Sequence, residues 1–561
     1  MQSLHAFGVS HPRAIVLYCL GVVCCAVGCA SQKPRASAQQ QPPAARPAAA
    51  EAPAEPAAGD PGVEREIRGL FVATVFNTDW PSRPGLDALV AQDEIRAILD
   101  RAEELNCNAI FLQVRSMGDR IYERTGPRAP ERPDPTTRPE IPWSVAVDGG
   151  QRYPGYDPLQ TWIVEAHARG IELHAWVNPF RIDVPIRNFP IRDGGDGFLY
   201  ADPTSQVVQD YVVDVIEDLL TNYGTLPKPA PPQPAAAPAE EPGEPDGGLD
   251  GVIVDHYFPN PGGGPEPATG PSTNPAGAQP AGPSCVTTQP TTLPARRAWI
   301  LKNWHNAPPP PPPPSLPKTL KDFIQAVASP AHTANVRFGV SPMAGQQGLV
   351  KDWLPLVDYI APEIYCQRPA FEPELDLWIA DAAAADPRPL VVPVLYTARV
   401  QTRKKGEPKP WPRSEIDEQI KLVDLKKPRL GHIHYSYHAI RSPAQGGPKP
   451  DNNIGDKLKE VRYKNPIPPG WSTTALNIAP DPLVPNAAGD IELKIQGVNV
   501  RYWVFRRRLL DGTWELEQQT RKKKDNVIKA AELDATKYNL VRVWAVDNRA
   551  RESLPAERAI P

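Results

Sequence analysis

The sequence predicts an α/β protein: a (β/α)8 TIM barrel over residues 63–445, followed by a small all-β sandwich domain over 466–561. Three observations predict it. Eight short β-branched or apolar runs recur from residue 67 onward: IRGLFVAT (67–74), AIFLQVRS (109–116), IELHAWVN (171–178), DGVIVDHYF (250–258), VRFGVSPM (336–343), YIAPEIYC (359–366), LVVPVLYT (390–397) and HIHYSYHA (432–439). The segments between them carry amphipathic helix patterns, and strands alternating with helices pair in parallel. Eight such units close a barrel. Beyond residue 470, IELKIQG, VRYWVFRRR, GTWELEQQ and LVRVWAVDN alternate with turn residues, the pattern of a sandwich of fibronectin type III kind.

Ahead of the first strand lie two segments outside any core. The apolar stretch AIVLYCLGVVCCAV within residues 1–29 is too short for a permanent membrane span and reads as an export signal. It closes on Ala26-Val27-Gly28-Cys29, which resembles a bacterial lipobox with Cys29 as the lipidated residue. Residues 30–62, dominated by Ala, Pro and Gln, read as a disordered tether. The expected location is therefore the bacterial cell envelope, with the membrane engaged through Cys29.

Within the barrel, Ile95, Ile98, Leu99, Ala102 and Leu105 repeat at i, i+3, i+4 and i+7, which predicts a helix packed on the sheet. Asp157-Pro158 and Asp202-Pro203 read as an N-cap followed by a first-turn proline, and Gly170 and Gly224 fall where a helix ends. A doubly wound open sheet is the rival arrangement, but the chain shows no Gly-rich phosphate turn. The barrel is longer than the typical ~250 residues, and the surplus sits in Pro/Ala-rich inserts near 225–248 and 259–294 and in a proline run at 308–314. These account for many of the 72 prolines and need not pack.

Composition excludes little beyond a polyanion partner. Sixty-one Lys and Arg against 65 Asp and Glu leave a net charge of −4, so no basic field points to nucleic acid. Arg506–Arg508 and Arg521–Lys524 read as solvated strand faces or turns. Of seven cysteines, four lie in the signal; Cys107, Cys285 and Cys366 remain, an odd number that cannot all pair. Cys107, in the apolar LNCNAIF, reads as a buried free thiol.

In a (β/α)8 barrel the C-terminal strand ends converge on one cavity. That places Arg115 and Asp119 after the second strand, and His174, Trp176, Asn178 and Arg181 on or after the third. The fourth contributes Asp255, His256 and Tyr257, the fifth Ser341, the sixth Glu363 and Tyr365, the seventh Tyr396, and the eighth His434, Tyr435 and Tyr437. Carboxylates among Trp and Tyr suit sugar chemistry, because aromatic faces stack on sugar rings and a carboxyl pair can protonate a leaving oxygen while stabilising an oxocarbenium-like centre. An isolated carboxylate among Val, Ile and Phe, as at Asp255, is costly unless paired or used. His174 and His434 also fit satisfied core histidines, Arg115 a structural partner of a barrel carboxylate, and Trp176 a filler of the barrel mouth.

Five motifs carry a family resemblance: FNTDWPS (76–82), FLQVRSMGDRIY (111–122), YDPLQTWIVEAHARGIELHAWVNPFR (156–181), DGVIVDHYF (250–258) and DYIAPEIY (358–365). In that order they resemble glycosyl hydrolase-like family 10, bacterial exported lipoproteins with a TIM barrel and often a fibronectin-like C-terminal domain. The resemblance implies a glycoside hydrolase of the cell envelope without a cofactor, its substrate a polysaccharide such as peptidoglycan glycan strands. The family pattern has glutamine where Glu363 stands and a second aspartate where His256 stands. The expected assignment is Asp255 as nucleophile or charge stabiliser, Glu363 as the acid because burial can keep a glutamate protonated there, and Asp119 as the second candidate. Arg115, His174, Asn178 and Tyr257 would bind hydroxyls or orient the carboxylates. Two other readings stand beside it: a non-catalytic glycan-binding scaffold, and a metal-dependent polysaccharide deacetylase built on Asp255, His256 and His174, for which no ligand spacing such as H-x-x-x-H is present.

Overall fold

The computed structural model describes residues 63–123, 141–149, 154–182, 190–193, 198–224, 248–255, 320–400, 410–412, 414–426, 431–442, 453–471, 476–515, 519–547 and 550–561. The expected signal with Cys29, the tether, Cys285, His256, Tyr257 and the inserts at 225–247 and 259–294 lie outside these residues.

Eight parallel strands form the barrel: β1 (Ile67–Val72), β2 (Ala109–Arg115), β3 (Glu172–Val177), β4 (Gly251–Asp255), β5 (Arg337–Ser341), β6 (Tyr359–Ile360), β7 and β8 (Gly431–His434). Strand β7 comprises two pieces, Leu390–Val391 and Val394–Leu395, separated by Val392 and Pro393. The first piece pairs with β6 and the second with β8, while β8 pairs with β1, so the sheet closes on itself. Pro393 has no N–H to give, but its carbonyl still accepts from Ile433 N at 3.0 Å, so one strand bridges both neighbours.

The helices packed outside are α1 (Ala88–Glu104), α2 (Pro158–Ala168), α3 (Gln206–Tyr223), α4 (Leu320–Thr333), α5 (Arg368–Ala383), α6 (Ser414–Leu425) and α7 (Ile454–Val461). Their limits follow local chemistry. Asp87 caps α1 by accepting from Leu89 N, and Asp157 caps α2 by accepting from Gln160 N ahead of Pro158. Gly170, at φ +69°, takes the left-handed turn after α2. Asp202-Pro203 differs from expectation: α3 begins later, with Ser205 at its cap, and Asp202 instead closes a turn by accepting from Thr204 N and Oγ1.

Alternation along each strand divides the barrel into two cores. Leu70, Val72, Ile110, Leu112, Val114, Val252 and Val254 face the helices. Ile67, Phe71, Ala109, Phe111, Trp176, Ile253, Tyr359, Val394 and Ile433 fill the interior. Two glycines are required inside: a Cβ on Gly251 would lie 2.1 Å from the His174 ring, and one on Gly339 would lie 2.3 Å from that of Tyr359.

Arg181–Ile182, Ile191–Asp193 and Leu199–Ala201 form a small antiparallel sheet between β3 and α3, and the strands beyond residue 490 form a two-sheet β unit. β9 (Ile491–Glu492) pairs with β12 (Val527–Ile528). β10 (Val500–Leu509), β11 (Gln519–Lys522), β13 (Tyr538–Asp547) and β14 (Ala556–Ala559) form an antiparallel sheet in the order β11-β10-β13-β14. Leu493, Trp503, Phe505, Ile528, Val541 and Val543 form the core between the sheets.

This unit is fastened to the bottom of the barrel. Trp471 enters the interior core, with its ring 5.3 Å from His174 and 5.0 Å from Tyr359, and its indole N–H donates to Glu172 at the start of β3. Arg501 of β10 reaches Glu172 at 3.7 Å and Asp250 at 3.5 Å. Lys522 and Lys524, in the basic run expected to be merely solvated, each reach Glu103 of α1 at 3.0 Å.

Candidate active site

The site is assembled at the opposite end, where the inward residues of successive strands reach the barrel mouth. Asp255 ends β4, is 1% exposed, and its Oδ2 accepts from the Trp176 indole N–H at 2.9 Å. Trp176 is held in turn against Phe71, ring to ring at 4.8 Å. Asp255 is the strand partner of Ser341 on β5, and the Ser341 hydroxyl lies 3.0 Å from both the Ala361 carbonyl and Glu363 Oε1. Glu363 thus contacts the serine directly, while Asp255 stands beside it on the neighbouring strand.

That serine hydroxyl has one proton and two neighbours. Directed at Ala361, it leaves its lone pairs to accept from a protonated Glu363; directed at Glu363, it steadies the carboxylate. Either protonation state of the Glu363 carboxyl therefore finds a partner in Ser341 without rearranging the backbone.

Beyond the carboxyl groups stands a wall of aromatic rings. Tyr365 and Tyr396 lie 4.6 Å apart, Tyr365 and Tyr435 5.7 Å, Tyr396 and Tyr435 6.1 Å, and Trp411 meets Tyr396 edge-on at 6.0 Å. Burial raises the Tyr365 hydroxyl well above its ordinary pKa, and the Glu363 charge with a hydrogen bond to Glu363 adds to this. Burial likewise raises Tyr435, with Asp79, Glu363, Tyr396 and Asp255 contributing in that order. Tyr435 therefore stands among three carboxyl groups and remains protonated.

Asp79 is a member that sequence reasoning missed. Its side chain is fully buried; it accepts from Ala73 N at 2.8 Å, His438 N at 2.8 Å and Ser436 Oγ at 3.1 Å, with His438 Nδ1 at 3.3 Å. It ties the loop after β1 to the turn after β8 and so fixes where Tyr435 stands. The only signal was its place in FNTDWPS, quoted above as a motif without a role. Trp411 was missed as well, since its Pro-flanked stretch offers no strand pattern.

Several expected residues lie elsewhere. His174 points inward but at the floor: it is beside Gly251, four residues below Asp255 on the same strand, between Tyr359 OH at 3.2 Å and Glu172 at 3.3 Å. That separation also keeps it from sharing a metal with Asp255, and among the described residues no group of three or more His, Cys, Asp or Glu side chains is arranged to hold one. His434 faces the helices because Ile433 takes the inward position; it contacts Thr397 Oγ1 at 2.7 Å and Tyr463 OH at 2.8 Å. Burial holds its pKa well below the ordinary histidine value, with neighbouring His432 contributing. Tyr437 packs in the same outer core.

Arg115 is turned away by a register shift that sets it opposite Val177, an outward residue, and its guanidinium lies 5.3 Å from the centre of the Tyr211 ring of α3. Asp119 is engaged in its own loop, accepting from Ser116 N at 2.8 Å, Met117 N at 2.9 Å and Ser116 Oγ. Arg181 lies over Phe198. Of the expected set, the structure brings together Trp176, Asn178, Asp255, Ser341, Glu363, Tyr365, Tyr396 and Tyr435. Cys107 is a buried free thiol pushed up to about 12 by burial.

A closed (β/α)8 barrel with carboxyl groups and a tyrosine wall at its C-terminal face is an arrangement suited to glycoside hydrolysis. Residues 66–225 match the family described as Glycosyl hydrolase-like 10. Over 174 residues the chain is 33% identical to "Glycosyl hydrolase YngK" of Bacillus subtilis (strain 168), covering 28% of this chain and 31% of that protein. Over 188 residues it is 30% identical to "Glycosyl hydrolase DigH" of Escherichia coli (strain K12), covering 28% and 39%. The matched region thus spans about a third of the length of these curated relatives. Among solved structures, a chitinase from Bacteroides thetaiotaomicron aligns with 72% of this chain and 98% of its own at 9% identity, with a TM-score of 0.37.

Proposed function

We propose that this protein is an envelope-anchored glycoside hydrolase acting on a cell-envelope polysaccharide, with peptidoglycan glycan strands as the first candidate. The observation that supports the reading is that Asp255, the strand partner of Ser341, and Glu363, which the Ser341 hydroxyl contacts, both act on Tyr435 of the tyrosine cluster. Asp255, held by the Trp176 indole, acts as nucleophile or charge stabiliser. Glu363 protonates the leaving oxygen, its neighbour Ser341 serving both protonation states. Tyr365, Tyr396 and Tyr435 offer ring faces to the sugar. Asp119 is set aside as the acid because its carboxylate is committed to the Ser116 turn.

The test is to incubate the purified protein with glycan strands freed of peptide, with chitin and with cellulose oligosaccharides, and to measure new reducing ends against glycan retained. Release from one class supports the hydrolase; retention without release supports the non-catalytic scaffold. Glu363→Gln keeps the size and the contact to Ser341 but has no proton to give. It is expected to lower turnover by about 10²–10⁴-fold, and unchanged turnover would move the acid role to another residue.

The anchor is a separate proposal, motivated by the lipobox-like Ala26-Val27-Gly28-Cys29. Cys29→Ser is expected to release the protein from the membrane fraction or leave an unprocessed precursor. Unchanged processing and fractionation would remove the lipoprotein assignment.

A further inference from the structure

One buried group at the mouth, expected only in general terms to bind a hydroxyl or orient a carboxylate, has no specific partner assigned in the proposed function. Asn178 is fully buried, and its Oδ1 accepts from Arg181 N at 3.1 Å, which fixes which end of the amide is oxygen. Among the described residues its Nδ2 has no hydrogen-bond partner. A buried donor left without an acceptor is costly, and such groups in folded proteins call for an explanation.

The position of Asn178 suggests one. Its backbone N–H donates to Arg115 O at 2.9 Å, continuing the β2–β3 ladder one residue past β3. Asn178 therefore follows Trp176 on the inward face. Val177 pairs with Val254, so the next residues along the two parallel strands, Asn178 and Asp255, are side by side, about 5 Å apart at the backbone. An amide donor with a fixed orientation stands beside the carboxylate that the proposed function sets at the anomeric carbon.

We propose that Asn178 Nδ2 recognises an acceptor oxygen of the C2 substituent of the sugar bound at Asp255, either a 2-hydroxyl or the carbonyl of a 2-acetamido group. The inference rests on the role given to Asp255. A group one strand away from the residue facing C1 meets the atoms bonded to C1, namely the ring oxygen or C2 with its substituent. The ring oxygen becomes electron-poor in an oxocarbenium-like transition state, so an N–H donor there would oppose the reaction. A hydrogen bond to the oxygen of the C2 substituent strengthens in that transition state. Asn178 thus contributes to turnover more than to ground-state binding.

The experiment uses the full chain with chitin and cellulose oligosaccharides and their 2-deoxy counterparts at the cleaved sugar. For the wild type, removing the C2 substituent is expected to lower kcat by about 10²-fold with little change in KM. Asn178→Ala is expected to lower kcat for the complete sugar similarly and to reduce the penalty for the 2-deoxy sugar to within about threefold. Preference for chitin over cellulose oligosaccharides identifies the acetamido carbonyl, and the reverse the hydroxyl. Equal wild-type rates on complete and 2-deoxy sugars overturn the inference without any variant. So does an undiminished 2-deoxy penalty in a folded Asn178→Ala, while loss of activity in Asp255→Asn would leave the underlying hydrolase reading standing. Retained activity in Asp255→Asn overturns both.

Discussion

Asp255→Asn is expected to abolish glycan cleavage, lowering turnover by at least about 10³-fold, while leaving the fold intact. The substitution keeps an oxygen to accept the Trp176 indole N–H, now 2.9 Å from Oδ2, so that contact is retained. What it removes is the ability to carry negative charge opposite a developing cation, the larger part of what a carboxylate can do in glycoside cleavage. Removing a buried charge that serves function rather than folding commonly leaves stability unchanged or improved. Reducing-end release and a melting curve on the same preparation decide the matter. Unchanged turnover sinks the assignment, and an unfolded variant would make Asp255 a structural partner of Trp176 instead.

Arg501→Met should have the largest effect on stability, at the other end of the barrel. Glu172 and Asp250 are buried carboxylates at the bottom, and Arg501 approaches both from β10. Burial alone would raise the Asp250 carboxyl, yet Arg501 and His167 hold it well below the usual carboxylate range. Burial also disfavours the Arg501 guanidinium, and Asp250 followed by Glu172 raises it nonetheless. Removing one member of a buried charge network typically costs about 3–5 kcal/mol, because the partners stay buried without compensation. The sign with pH follows: a depressed carboxyl contributes fully above its unfolded pKa, and the contribution is lost as acid protonates it. The urea midpoint at neutral pH measures the change, and a loss under about 1 kcal/mol would mean that Arg337, 3.5 Å from Glu172, already neutralises the floor.

Both variants probe features of unequal legibility in the sequence. Asp255 was readable because a carboxylate ending an apolar run is a local pattern, and parallel strands all bring their C-terminal ends to one face. Glu363 and Tyr396 followed by the same logic. Arg501 was not readable as a partner of Asp250, because 251 residues of sequence separate them and VRYWVFRRR shows only an alternating strand. Asp79 was hidden for a related reason: it ends no strand, and its donors come from its own loop and from a turn more than 350 residues away.

By itself, the sequence determined the eight strands, their order, the helix cap at Asp157, and the candidate residues at the strand ends. These depend on periodicity and turn chemistry within a few residues. The tertiary structure alone decided which way each candidate faces. Ile433 takes the interior position on β8 and sends His434 to the helices; a register shift in β2 turns Arg115 onto Tyr211; His174 points inward but four residues too low. The physical reason is that side chains alternate with a period of two, so a single-residue offset exchanges interior for exterior. That offset is set by pairing and packing with residues far away in the chain.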